Sequence, residues 1–144
     1  MADTALLIID IQNDYFPGGA MELEGADAAG EKARAALRRF RERGEPIIHV
    51  RHTSVRPGST FFRETLEGLG AKNLVVAGMM THMCVDASVR HAADLGYKIT
   101  LLGDACATRG QSYGGEKVPA RQVHAAFLAA LNGFYAKVLN THEL

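Results

Sequence analysis

Residues 74–97 read LVVAGMMTHMCVDASVRHAADLGY, and the fold turns on how this stretch is divided. Leu74 to Ala77 is an apolar run of strand length. Thr81 to Leu95 has helical composition, and Gly96 stops it. Between them stand Gly78, two methionines, Thr81 and Cys84. A strand that turns through such a junction into a helix is the βα half of a parallel α/β unit. Cys84 would then lie in the first helical turn, with Thr81 or His82 near the N-cap. Unpaired N–H groups there stabilise an anion and lower a thiol's pKa. The same groups can face a developing oxyanion. Cys84 reads as a nucleophile if a base is near, or as a small buried hydrophobe.

The pattern repeats on both sides. Ala5 to Ile11, ALLIIDI, is almost wholly apolar, as suits a strand covered on both faces. A turn follows at 13–19. Ala26 to Arg43 is helical, with Ala33, Leu37 and Phe40 on one stripe and Gly44 as its stop. Pro46 opens a second strand, Ile47 to Arg51, and His52 to Thr60 reads as a polar loop. Phe61 to Leu69 suits a short helix. Lys98 to Leu102 is a fourth strand and Ala107 to Glu116 a small-residue loop. Pro119 to Asn132 is a helix striped by Val123, Phe127 and Leu131, and Phe134 to Leu139 is a last strand. Five strands alternating with helices predict an α/β protein: a three-layer αβα sandwich around a mainly parallel sheet, with residues 1–144 as a single domain.

The totals limit the function classes. Lys plus Arg and Asp plus Glu are 16 each, so no basic excess points to nucleic acid. The apolar runs are too short for a membrane span, and the N-terminus does not read as a signal peptide. Two cysteines, Cys84 and Cys106, make no disulfide framework, so a reducing cytoplasmic compartment is expected with both thiols free. Neither GxGxxG after the first strand nor GxxxxGK[ST] occurs, and no nucleotide cofactor is expected. No zinc spacing is present either; with Asp10, His49 and His52 would be the only metal candidates, and no metal is expected.

In a parallel sheet the carboxyl ends of the strands converge, and ligands bind there. Those ends hold Asp10, the 49–52 segment, the 78–84 loop and Asp104. Asp10, flanked by isoleucines, either caps the turn after it or serves the cysteine as base or orienting group. Asp104 reads as a cap for the next loop or helix, and Cys106 as packing. Of the scattered histidines, His82 stands out because it lies between Thr81 and Cys84. Met79, Met80 and Met83 fill space or line a small apolar pocket.

LLIIDIQNDYFPGGAMEL, residues 6–23, resembles the opening of the isochorismatase-like cysteine hydrolases, a superfamily that includes nicotinamidases. NLVVAGMMTHMCVDASVRHAADLGYKITLLGDACAT, residues 73–108, resembles their nucleophile region, with the form GxxTxxCV. The resemblance implies a Rossmann-like isochorismatase fold, Asp10 as catalytic aspartate and Cys84 as nucleophile. It also implies a cis bond between Met80 and Thr81, and an oxyanion hole of backbone N–H groups at Met80, Thr81 and Cys84. Gln12, Phe16, Arg51, His52, His82 and Met83 are the pocket candidates. The expected reaction is hydrolysis of a small amide or related C–N bond through a thioester. HVRHTS lacks the Asp-x-His pattern of metal-binding nicotinamidases, so neither metal nor nicotinamide is favoured.

One family feature is missing. Family members carry a catalytic lysine just after a third strand; here no lysine stands between Lys32 and Lys72, and Lys72 aligns with the turn before the nucleophile strand. The third strand and its loops are missing too. The sheet would keep five strands, ordered second, first, nucleophile strand, fourth and last, with a new exposed edge that a homo-oligomer would cover. Arg51, Arg56, His52 or a residue of another subunit are the candidate substitute cations. The alternative function is a catalytically impaired small-molecule binding or scaffold protein.

Overall fold

The computed structural model describes residues 3–51 and 61–144. Strand β1 (Thr4–Ile9) leads through a short 3₁₀ turn to α1 (Ala26–Arg43) and then β2 (Ile47–Val50). Helix α2 (Phe61–Gly68) precedes β3 (Asn73–Met79), the π-helical turn Thr81–Val85 and α3 (Asp86–Asp94). Strand β4 (Lys98–Ala107) runs on to a hairpin of β5 (Gln111–Tyr113) and β6 (Glu116–Val118). Helix α4 (Ala120–Leu131), β7 (Lys137–Leu139) and a 3₁₀ turn (Thr141–Glu143) complete the order.

The main sheet has the order β2-β1-β3-β4-β7, all pairs parallel. This is the order expected from the sequence. Alternation along β1 divides the core. Leu6 and Ile8 pack with Ala33, Ala36 and Phe40 of α1. Leu7 and Ile9 face the other way, onto Leu66 of α2, Val89 of α3 and Leu131 of α4. Helices therefore cover both faces, which explains the near-continuous apolar strands. α1 ends as its sequence predicts: Gly44 takes φ 65°, and its N–H reaches back to Phe40 and Arg41 carbonyls.

The structure departs from the sequence reading at several elements: β1 ends at Ile9 rather than Ile11, and β3 runs to Met79 rather than Ala77. β4 continues five residues beyond Leu102, because Gly78 and Met79 shift register and pair with Cys106 and Ala107. The predicted loop after it contains the β5–β6 hairpin. β7 is only three residues long; residues 133–135 form a turn, and Ala136 makes an isolated bridge to Asn132. Asp104 does not cap the adjacent downstream segment. Its carboxylate accepts hydrogen bonds from the Thr141 N–H and hydroxyl, both 2.7 Å, and so ties down the C-terminal turn. The predicted 52–60 loop lies outside the described residues.

Candidate active site

The site forms where β1 and β3 end side by side. Gly78 makes that approach close: a Cβ there would overlap the Ile9 carbonyl oxygen. Asp10 comes next after Ile9. It is 2% exposed, and at φ 49° it alone of the described non-glycine residues takes a left-handed backbone. Its N–H donates to the Val50 carbonyl at 2.9 Å. The turn places its carboxylate against Cys84, whose thiol donates to it, while Gln12 Nε2 donates to Asp10 Oδ1 at 3.4 Å.

Cys84 lies half-buried in the π-helical turn that begins after Met80. The Met80 carbonyl accepts the Met83 and Val85 N–H groups at 3.0 and 3.3 Å, which closes the turn. The cis bond is Met79–Met80, not Met80–Thr81 as the family resemblance implies. Met79 is the last residue paired with β4, two residues beyond the Ala77 at which the sequence reading ends this strand.

The electrostatics also differ from expectation. The sequence predicts that helix N–H groups lower the thiol's pKa. Those of Cys84 and Met80 do pull it down, but burial, the Asp10 hydrogen bond and the Asp10 charge outweigh them and push it up to about 12. No lysine is among the groups acting on it. Lys72 stands at the amino end of β3, remote from the carboxyl ends where Asp10 and Cys84 meet.

Thr81, fully buried, sets its Oγ1 3.2 Å from the Ala107 carbonyl and 3.0 Å from His124 Nδ1. His82 Nδ1 hydrogen-bonds Thr108 Oγ1, and the Phe127 ring meets the imidazole edge-on at 6.0 Å. Burial, then the charge of Arg109, lower the His82 pKa. Tyr15 is raised by burial, then by the charges of Asp10, Cys84 and Asp14, while Arg109 opposes them. Tyr15 thus feels both the Asp10–Cys84 pair and the exposed Arg109 guanidinium. Among the described residues, Arg109 has no ion pair.

The remaining pocket candidates divide. Gln12 and Arg51 line a cleft of about 530 Å³ with Ile11, Asp14 and His49. Phe16 packs over Gly30 of α1. Met83 is 48% exposed. His52 and Arg56 lie outside the described residues. Cys106 is buried packing, as expected, and both cysteines are free. Among the described residues no cluster of three His, Cys, Asp or Glu could hold a metal ion, and no helix is long and apolar enough to cross a membrane.

The sequence profile of the isochorismatase domain matches residues 4–61 and 57–143. The chain belongs to the isochorismatase family. The members of this family are generally hydrolytic enzymes. The isochorismatase family protein YddQ of Bacillus subtilis is 42% identical, with 96% of each chain covered. That alignment spans 173 positions, more than the 144 residues present, so it opens gaps in this chain. The two profile matches meet at 57–61, where the sequence reading places the missing segment. A crystallised relative from Oleispira antarctica superposes with a TM-score of 0.91 at 39% identity, covering 98% of this chain and 95% of its own. An isochorismatase from Pseudomonas putida gives 0.90 at 31%, covering 99% and 90%.

Sequence reasoning missed Tyr15, Thr108, Arg109 and His124. Tyr15 and Arg109 carry no spacing signal. His124 lies 40 residues beyond Cys84, and only the packing of α4 on the nucleophile turn reveals it.

Proposed function

We propose that the protein is a cysteine-dependent hydrolase that cleaves a small amide or related C–N bond through a thioester. The observation that carries this reading is the buried Asp10 carboxylate hydrogen-bonded to the Cys84 thiol at adjoining strand ends. With the thiol held near 12, only about one molecule in 10⁵ carries a thiolate at pH 7. Attack is therefore coupled to proton transfer. As sulfur bonds to the carbonyl carbon, Asp10 takes the thiol proton. Backbone N–H groups at Met80, Thr81 and Cys84 receive the oxyanion. The proton passes to the leaving nitrogen, ammonia or an amine departs, and water, with Asp10 as base, releases the acid. Arg109, which has no ion pair among the described residues and whose charge acts on Tyr15 and His82, favours an amide whose far end is negatively charged. Residues 1–144 act as one domain in this reading, in the cytoplasm, and copies associate over the β2 edge.

A second reading, a binding protein on the same fold, draws support from the raised thiol and the missing lysine. A panel of small amides, with intact-mass detection of an acyl adduct, separates the two. Cys84→Ala should lower turnover at least about 10³-fold and abolish the adduct. A wild-type protein that forms no adduct and turns over no amide would leave the binding reading standing.

A further inference from the structure

The turn that carries Cys84 is gripped by α4, beyond the quoted 73–108 motif, and by the end of β4 within it. On α4, His124 and Phe127 stand one helical turn apart on the same face and hold two consecutive residues of that turn. His124 meets Thr81 and Phe127 meets His82. The end of β4 supplies the other jaw, Ala107 for Thr81 and Thr108 for His82.

Donor counting makes His124 the deciding member. The Thr81 hydroxyl has one hydrogen and two close neighbours. The Ala107 carbonyl can only accept, whereas an imidazole nitrogen donates or accepts. When the hydroxyl serves Ala107, Nδ1 must carry a hydrogen and donate to Oγ1. A charged ring carries a hydrogen on each nitrogen and can serve Oγ1 and the Gly103 carbonyl beside it together; a neutral ring has one, and when that stays on Nε2 the bare Nδ1 draws the hydroxyl to the ring and away from Ala107. We propose that His124 is a positioning residue for the nucleophile: a hydrogen on its Nδ1 keeps the Thr81 hydroxyl on the Ala107 carbonyl and so fixes the backbone turn that presents Cys84. Loss of the proton from Nδ1 is then the event that releases the hydroxyl, so the turn follows the titration of the ring.

The ring is placed to change state. It lines a cavity of about 370 Å³ with Asp104, Glu143 and Asn140. Burial disfavours its charged form, and the Gly103 carbonyl beside it favours that form. The titratable groups around it are Asp104 of β4, Glu143 of the C-terminal turn and His82 of the nucleophile turn. Asp104 is already engaged by Thr141 and, at 3.9 Å, by Lys32, and Glu143 by the Asn140 N–H.

The inference rests on Cys84 being the nucleophile, and its test does not require turnover. Backbone amide signals are followed by NMR from pH 4.5 to 8 in a His82→Gln background, so that His124 is the one histidine titrating beside the turn. The Thr81, Met83 and Cys84 amides should shift with the His124 midpoint. Thr81→Val should leave His124 titrating but flatten those amides, and Thr81→Ser should restore the coupling. Amides that stay flat in the parent, or keep titrating in Thr81→Val, would overturn the proposal. Acylation by p-nitrophenyl acetate, measured alongside, reports on the hydrolase reading alone. His124→Leu should slow it at least about tenfold while His124→Asn, which keeps an N–H donor, stays within about threefold. A parent that is not acylated would count against the hydrolase, with the amide titration still deciding the positioning role.

Discussion

On the proposed mechanism the chemistry depends on the Cys84 thiol, and its protonation is open to direct measurement. Burial and Asp10 raise it to about 12, so its alkylation rate should keep climbing above pH 9 rather than level off near the free-thiol value of about 8.5. Asp10→Asn removes the carboxylate charge and tolerates the left-handed backbone, so the midpoint should fall. A wild-type midpoint at or below 8.5 would contradict this account. Cys106, buried and also raised to about 12, contributes little background. Gly78 makes a second prediction. Gly78→Ala forces a methyl group into the Ile9 carbonyl and should cost about 1–3 kcal/mol or more in urea unfolding. Asp10 and Cys84 are legible in the sequence because each sits at a strand end within a recognisable motif. Tyr15 and Arg109 are not, since their nearness arises from a short turn and from the overrun of β4, neither of which has a periodic signature.

At the scale of elements, the sheet order and the helix on each face are readable from strand-length apolar runs bounded by glycine and proline. Lengths are harder. Gly103-Asp104 looks like a stop that ends β4 at Leu102, yet Gly103 is required by packing: a Cβ there would press on Leu128 and Val138 at 3.0 and 3.3 Å. A local cap is the natural reading of Asp104 because sequence proximity is all that a sequence offers, while its partner Thr141 is 37 residues away. Asp104→Ala should free the C-terminal turn and cost about 1–3 kcal/mol, checked by urea unfolding and by earlier proteolysis near residue 140. The grip of α4 and β4 on the nucleophile turn gives a pH prediction. His82 and His124 are both lowered mainly by burial, so the unfolded chain binds protons more readily than the folded one. Their contribution is complete above the unfolded value of about 6.5 and is lost as pH falls through the lowered folded values. The melting temperature should drop between pH 6.5 and 5, and a His82→Gln/His124→Asn double variant should flatten that slope.

For the whole molecule, the short connection after β2 leaves that strand at the sheet's edge, with Ile47, Ile48 and Val50 only partly covered. Edges of this kind invite pairing. Sedimentation at about 10 μM should find at least a dimer, and a monomer would remove the oligomer from the proposal. Introducing Lys at Ile48 should weaken the association if the edge forms the contact. The β1–β3 junction brings the two separated motifs together, which is why the family is recognisable from them.

The β5–β6 hairpin has a consequence for how the chain could be divided. Residues 112–119 are exposed, and the tip is Gly114-Gly115. Cutting there yields a 114-residue piece with β1, β2, β3, β4 and Cys84, and a 30-residue piece with α4, β7 and the Thr141 anchor. Insertions and breaks are best tolerated at such tips. The smaller piece carries His124 and Phe127, so the larger one would regain its gripped nucleophile turn only on reassembly. Two separately expressed fragments would then behave as a complementation pair, with reactivity at Cys84 reporting how tightly they find each other.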